Sequence, residues 1–229
     1  MSSQQAGPPP VVPTAMARAS WPYTDRSSKS VVTSASSFPC GPLRTLTLSP
    51  GAATIRRMEA LAFWKAVTVD TTDVLGRVLG LLDESGARFC AIGGVAVNAY
   101  VEPVVTLDLD LVIVASDLSG LEAKLTAFRV ERFPHSVNLS APGSDLRVQF
   151  QTDPRYQAFV DRAERRTVLG LSLPVAAVED VLQGKLWAVL DPERRASKRQ
   201  KDLADIARLI EQYPELRERV PPEVASRLV

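Results

Sequence analysis

The run Leu107–Val114, "LDLDLVIV", restricts the fold more than any other stretch of the chain. Its apolar residues have the density of a buried strand, yet Asp108 and Asp110 interrupt them two residues apart. Strand side chains alternate between faces, so the two carboxylates project side by side while Leu107, Leu109 and Leu111 face the opposite way, toward a core. Like charges this close repel, and one carboxyl must hold its proton unless a cation lies between them. A hard divalent ion such as Mg²⁺ resolves the conflict, because it accepts one or two carboxylates and completes its shell with phosphate oxygens and water. The plainer account of Asp-x-Asp is a solvated face at a sheet edge.

Upstream, "RFCAIGG" reads as a short strand ending in Gly93 and Gly94, and "VAVNAYV" as a short helix leading to a turn at Pro103. Paired glycines there let backbone N–H groups approach a ligand, and a helix start favours phosphate. A tight turn alone would also explain them. The whole order of strand, Gly-Gly, helix, turn and Asp-x-Asp strand sets a phosphate cradle beside a cation site. Phosphoryl and nucleotidyl transfer need those two parts, since that chemistry rests on positioning and charge neutralisation.

The flanking sequence predicts an α+β domain. "TTDVLGRVLGLLDESG" spaces Val74, Leu75, Val78, Leu79 and Leu82 as a helix, with a Thr or Asp cap and Gly86 as its stop. "SDLSGLEAKLTAF" reads as a helix capped by Ser116, and "DLRVQFQ" as a strand. "DPRYQAFVDRAE" reads as a helix begun by Asp153 and Pro154, with Arg155 and Tyr156 as candidate cleft residues. "TVLGLSLPVA" suggests a hairpin or edge strand; "AVEDVLQGKLWAVL" and "SKRQKDLADIARLIEQY" are helical, followed by a short tail from Pro221. His135, the single histidine, is expected in a loop, which argues against histidine-based metal sites and triads.

Residues 1–57 differ from this domain. They hold 10 Ser, 6 Thr and 8 Pro, with six basic residues and only Asp25 acidic. That composition predicts disorder, because it offers too little apolar surface to offset ordering. The composition is also that of a transit peptide, but prolines such as those in "GPPPVVP" oppose the amphipathic helix an import signal needs. We favour an upstream extension with the natural start at Met58. The remaining residues carry a net charge of −4, hidden within the overall +1. Cys40 and Cys90 form neither a metal-type pair nor a disulfide framework, so the expected compartment is the cytoplasm. No apolar run approaches the roughly 18 residues that cross a bilayer, so no membrane partner is expected.

"IGGVAVNAY" followed by "TLDLDLVI" resembles the signature of the polymerase-β-type nucleotidyltransferase superfamily, in particular its small bacterial members near the AbiEii-type toxins of type IV toxin–antitoxin systems. The resemblance continues through "LPVAAVEDVLQGKLWAVLD" and "KRQKDLADIARLIE". It implies a nucleotidyltransferase core over residues 58–175, a small mixed sheet flanked by helices, and a helical part over 176–229 packed on that core. It also implies Asp108 and Asp110 as catalytic Mg²⁺ ligands, with Gly93, Gly94, Thr106 and Lys185 holding a nucleoside triphosphate. Lys201 and Asp202 would lie at the cleft. The implied reaction moves a nucleoside monophosphate onto a hydroxyl of RNA, protein or a small molecule, and the implied protein partner is an antitoxin.

Three positions depart from the pattern. Gly94 stands where many relatives have Ser, and Val104 stands where an arginine is common. Gln149 occupies the place of the third carboxylate, and an amide cannot serve as a general base. The rival account is therefore a module that keeps the fold and binds a nucleotide or a protein partner without turnover. Asp145 and Asp153, each four residues from Gln149, lie about 13 Å away along a strand, too far to substitute directly. Lys185 is equally readable as a surface lysine with a buried stem. The five basic residues between Arg194 and Lys201 suit either a phosphodiester backbone or a solvated loop. Asp205 is expected in capping or ion pairing, near a helix start.

Overall fold

The computed structural model describes residues 60–228. The expectations for residues 1–57, for a start at Met58 and for Cys40 lie outside the described residues.

Seven strands form one mixed sheet: β1 (Phe89–Ile92), β2 (Asp108–Ile113), β3 (Arg129–Phe133), β4 (Ser136–Ser140), β5 (Arg147–Gln151), β6 (Glu164–Val168) and β7 (Leu171–Val175), in the order β3-β4-β5-β2-β1-β7-β6. β2 runs parallel to β5 and β1 parallel to β7, while the other neighbours are antiparallel. Helix α1 occupies 60–67 among the described residues. The others are α2 (Val74–Ser85), α3 (Gly93–Val97), α4 (Ala115–Glu122), α5 (Gln157–Asp161), α6 (Val178–Leu190), α7 (Ala196–Gln212) and α8 (Pro222–Ala225). No described helix is long and apolar enough to cross a membrane.

Local chemistry explains several boundaries. Asp73 caps α2 by accepting the Gly76 N–H, and Gly86 ends the helix at φ 64°, where a side chain would be strained. Asp153 accepts the Arg155 N–H at a 3-10 turn that runs into α5. The β6–β7 hairpin turns through Leu169 and Gly170, both left-handed (φ 51° and 82°), as a tight two-residue turn demands.

One expected cap needs correction, and one pair of strands is new. Ser116 does not cap α4; Val114 is the N-cap residue without a side-chain hydrogen bond, and the Ser116 hydroxyl instead donates to Asp117. The β3–β4 hairpin, with His135 in its turn, is an addition to the strands read from the sequence. β3 is an edge strand with four of its five residues exposed, so it carries no hydrophobic alternation to reveal it.

The alternation of β2 is realised from Asp108 onward. Leu109, Leu111 and Ile113 are fully buried in one apolar cluster with Val74, Leu75, Val78 and Leu82 of α2. Leu107 lies before the strand and is 36% exposed, so it does not join that face. Phe150 on β5 is among the largest fully buried side chains. Replacing it with Ala is expected to cost about 3–5 kcal/mol in urea unfolding, against less than about 0.5 kcal/mol for Phe133→Ala at its exposed site on β3.

Candidate active site

The sheet register assembles the site. Asp110 on β2 has Ile92 of β1 on one side and Gln149 of β5 on the other, and Asp108 is paired with Arg147. Ile92 leads directly into Gly93, so the glycine turn falls over the carboxylates.

The contact is close enough to explain the glycines. Gly93 has φ +65°, and a Cβ there would lie 2.1 Å from Asp110 Oδ2. Any side chain would displace the carboxylate as well as strain the backbone. At Gly94 a Cβ would come within 3.3 Å of Thr106 Oγ1 and 3.8 Å of Lys201 Nζ. Thr106 is itself buried and fixed: Trp64 Nε1 donates to its carbonyl (2.6 Å), and its Oγ1 accepts the Asp108 N–H (3.3 Å).

Asp108 carries two counterions. Arg147 Nε lies 2.9 Å from Oδ1, and Lys198 Nζ lies 3.2 Å from Oδ2. Asp110 has no such direct partner among the described residues. Its carboxyl is pushed above the usual range, first by loss of solvation and then by the charge of Asp108, which Lys185, Lys198 and Lys201 offset in part.

These residues open on a cavity of about 430 Å³, walled by β4 and β5 on one side and by Tyr156, Phe159 and α6 on the other. Gln149 lines it beside Asp110, as does Asn138, whose buried Oδ1 accepts no hydrogen bond from a described residue. The carboxylates nearest to Gln149 in sequence are elsewhere: Asp145 is exposed before β5, and Asp153 is committed to its cap and to Arg155. Tyr156 lines the cavity, whereas Arg155 lies over the Trp187 ring, 5.2 Å from its centre. Cys90 is buried, and its thiol is pushed up to about 12 by burial, then by Asp180, so it offers no thiolate.

Lys185 is neither a surface lysine nor a free cation. It is buried between Asp202 (2.9 Å) and Asp205 (2.7 Å), which joins α6 to α7 while its residue lines the cavity. Burial pulls its ammonium down, but the two carboxylates outweigh burial and the net shift is upward. Arg194 holds the other Asp202 oxygen (2.7 Å), and Arg208 holds Asp205 (3.0 Å). Asp205 thus lies in an ion pair, though well inside α7 rather than near its start. Val104 is exposed and pinned by the Asn98 amide through both backbone groups.

Arg147 was not singled out by sequence, and Arg194 and Lys198 entered only as members of a basic cluster, yet Arg147 and Lys198 had a positional signal. Arg147 is two residues before Gln149 and therefore on its face. Lys198, Lys201, Asp202 and Asp205 follow helical spacing along one stripe of α7. Lys201 forms no ion pair with a described residue. Among the described residues no group of three or more His, Cys, Asp or Glu is placed to hold a metal. Asp108, Asp110 and the Gln149 amide oxygen are the available donors, a set suited to an ion that takes its remaining ligands from water and phosphate.

The mixed sheet, the glycine turn and the paired aspartates define the class: a nucleotidyltransferase of the polymerase-β type. The chain belongs to the AbiEii family, since residues 88–227, well over half of it, match the family of the nucleotidyl transferase AbiEii toxin of type IV toxin–antitoxin systems. No curated protein matches the chain. Among solved structures it is similar to ANT(2'')-Ia in complex with adenylyl-2''-tobramycin, at 17% identity over 68% of this chain and 97% of that one, with a TM-score of 0.47. It is also similar to the lincomycin-bound lincosamide adenylyltransferase LnuA, at 13% identity over 59% and 95% with a TM-score of 0.41. An antigenic nucleotidyltransferase-like protein from Paracoccidioides brasiliensis gives 24% identity over 65% and 75%, with a TM-score of 0.41.

Asp110 gives a prediction with a defined sign. A carboxyl whose pKa is raised in the fold leaves stability unaffected below the unfolded value, about 3.9, and costs stability as pH rises past it. Asp110→Asn should therefore melt above the wild type at pH 7 in metal-free buffer, and the gap should close below about pH 4. Thermal unfolding across that range checks it.

Proposed function

We propose that this protein transfers a nucleoside monophosphate from a nucleoside triphosphate to an acceptor hydroxyl, with Asp108 and Asp110 holding one Mg²⁺. The observation that carries this reading is the contact of Gly93 with Asp110: a turn stripped of side chains lies directly against paired, mutually repelling carboxylates. A stabilising role does not account for it, because it leaves Asp110 under-compensated. A divalent ion bound there would neutralise charge on the phosphates and on the departing pyrophosphate.

The protein's own part is positioning. Backbone N–H groups at Gly93 and Gly94 suit phosphate oxygens, and Thr106, which accepts the Asp108 N–H, fixes the entry to β2. Lys201, close to Gly94 and without an ion pair among the described residues, supplies a free positive charge. Lys185 acts through Asp202 and Asp205, orienting α7 and its stripe of charges, rather than by meeting phosphate itself. The acceptor is RNA, protein or a small molecule, and the family's toxin role, with a separately encoded antitoxin, extends to this chain on family grounds.

Gln149 favours a second reading. In register with Asp110, it can orient an acceptor hydroxyl through its amide oxygen but cannot take its proton. A triphosphate-binding module without turnover would have that residue. Incubating the protein with α-labelled triphosphates, Mg²⁺, and total cellular RNA or protein separates the two. Nucleotidyl transfer predicts labelled acceptor that falls to background in Asp108→Ala and Asp110→Ala, and a rate that rises in Gln149→Asp. Tight triphosphate binding with no labelled product from any of the four nucleotides would leave the binding module.

A further inference from the structure

We propose that Arg147 and Lys198 are exchangeable counterions, which occupy Asp108 until a cation arrives and then pass to the polyphosphate that accompanies it. The inference rests on the cation and nucleotide reading of the same site, and it assigns positioning and specificity roles to two residues outside the aspartate and glycine motifs.

The geometry is specific. Each oxygen of Asp108 is taken, Oδ1 by the Arg147 guanidinium and Oδ2 by the Lys198 ammonium. A carboxylate oxygen keeps a second lone pair, but a metal ion that ligates Asp108 brings two positive charges beside the guanidinium and the ammonium, and that repulsion is relieved when at least one of them moves away. The other well-fixed cations of the cavity are not available for such an exchange, because Lys185 and Arg194 are committed to Asp202 and Asp205. Arg147 and Lys198 differ in that the carboxylate they hold is the one the reaction needs.

Both side chains are also open to solvent. That of Arg147 is 62% exposed and that of Lys198 39% exposed, on a strand and a helix that border the same cavity. Once displaced, each remains within side-chain reach of anything bound beside Asp108, and an anionic ligand is the partner that restores its charge balance. Bare cation and bare polyphosphate each meet opposition: the first is repelled by the two counterions of Asp108, the second meets cations already satisfied and two aspartates. Together they relieve both costs, so the two ligands are positively coupled. The consequence is selectivity for the metal–polyphosphate complex over either component.

The test uses Mn²⁺ and inorganic tripolyphosphate, which avoids any assumption about the base. Bare Mn²⁺ binding is followed by the electron paramagnetic resonance of free Mn²⁺, and binding of the preformed Mn²⁺–tripolyphosphate complex by calorimetry. The variants are Lys198→Met, Arg147→Met and Asp108→Asn in the full chain. The Met substitutions keep the apolar stems at exposed positions, so melting temperatures should stay near wild type. Each should tighten bare Mn²⁺ by about two- to fivefold, the range expected for a partly exposed ion pair, and weaken the complex by at least as much. Opposite signs in the two titrations are the signature. Changes of the same sign, or no change in either while Asp108→Asn still abolishes Mn²⁺ binding, would overturn the exchange alone. If the wild type binds neither Mn²⁺ nor the complex, the exchange falls together with the cation and nucleotide reading.

Discussion

Two negative charges on adjacent same-face positions of β2 set the terms for everything around them. Asp108 and Asp110 cannot relax apart, because the strand beneath them is fixed by Leu109, Leu111 and Ile113 in the core. The surroundings answer this repulsion unequally. Asp108 receives Arg147 and Lys198, whereas Asp110 receives the glycine turn and an amide. A fold selected for stability alone would have removed one carboxylate, since an uncompensated charge near the interior is among the costlier features a sheet can carry.

The scaffold shows how that arrangement is held. The Gly93 turn is set by β1, which pairs with β2, so the same ladder positions both halves of the site. α7 brings Lys198, Lys201 and Asp202 to it, and its own position depends on the buried Lys185 between Asp202 and Asp205. That ion pair is a joint between helices. Its removal would leave buried carboxylates short of a counterion, a change typically costing about 3–5 kcal/mol.

Much of this was legible in the sequence, for identifiable reasons. Strand alternation predicts the shared face of Asp108 and Asp110, and glycine chemistry predicts a close approach at Gly93. Helical spacing gives α2, α6 and α7, and a capping residue with a glycine stop also marks α2. What escaped were interactions between distant segments and elements without a periodic signal. The ties of Asp108 to Arg147 and Lys198 join three segments, and the partners of Lys185 lie on another helix, so neither leaves a local pattern. The β3–β4 hairpin has a polar, exposed edge, while Ser116 offered a capping residue type that the backbone did not use. Leu107 satisfied the alternation but fell one residue outside the strand.

Diffraction from crystals grown with Mn²⁺ and a non-hydrolysable nucleoside triphosphate tests the central claim most directly. The account predicts a single strong anomalous peak bridging Asp108 and Asp110, with the triphosphate against the Gly93-Gly94 turn. Triphosphate bound elsewhere, or Mn²⁺ absent from the aspartate pair at saturating concentration, would contradict it.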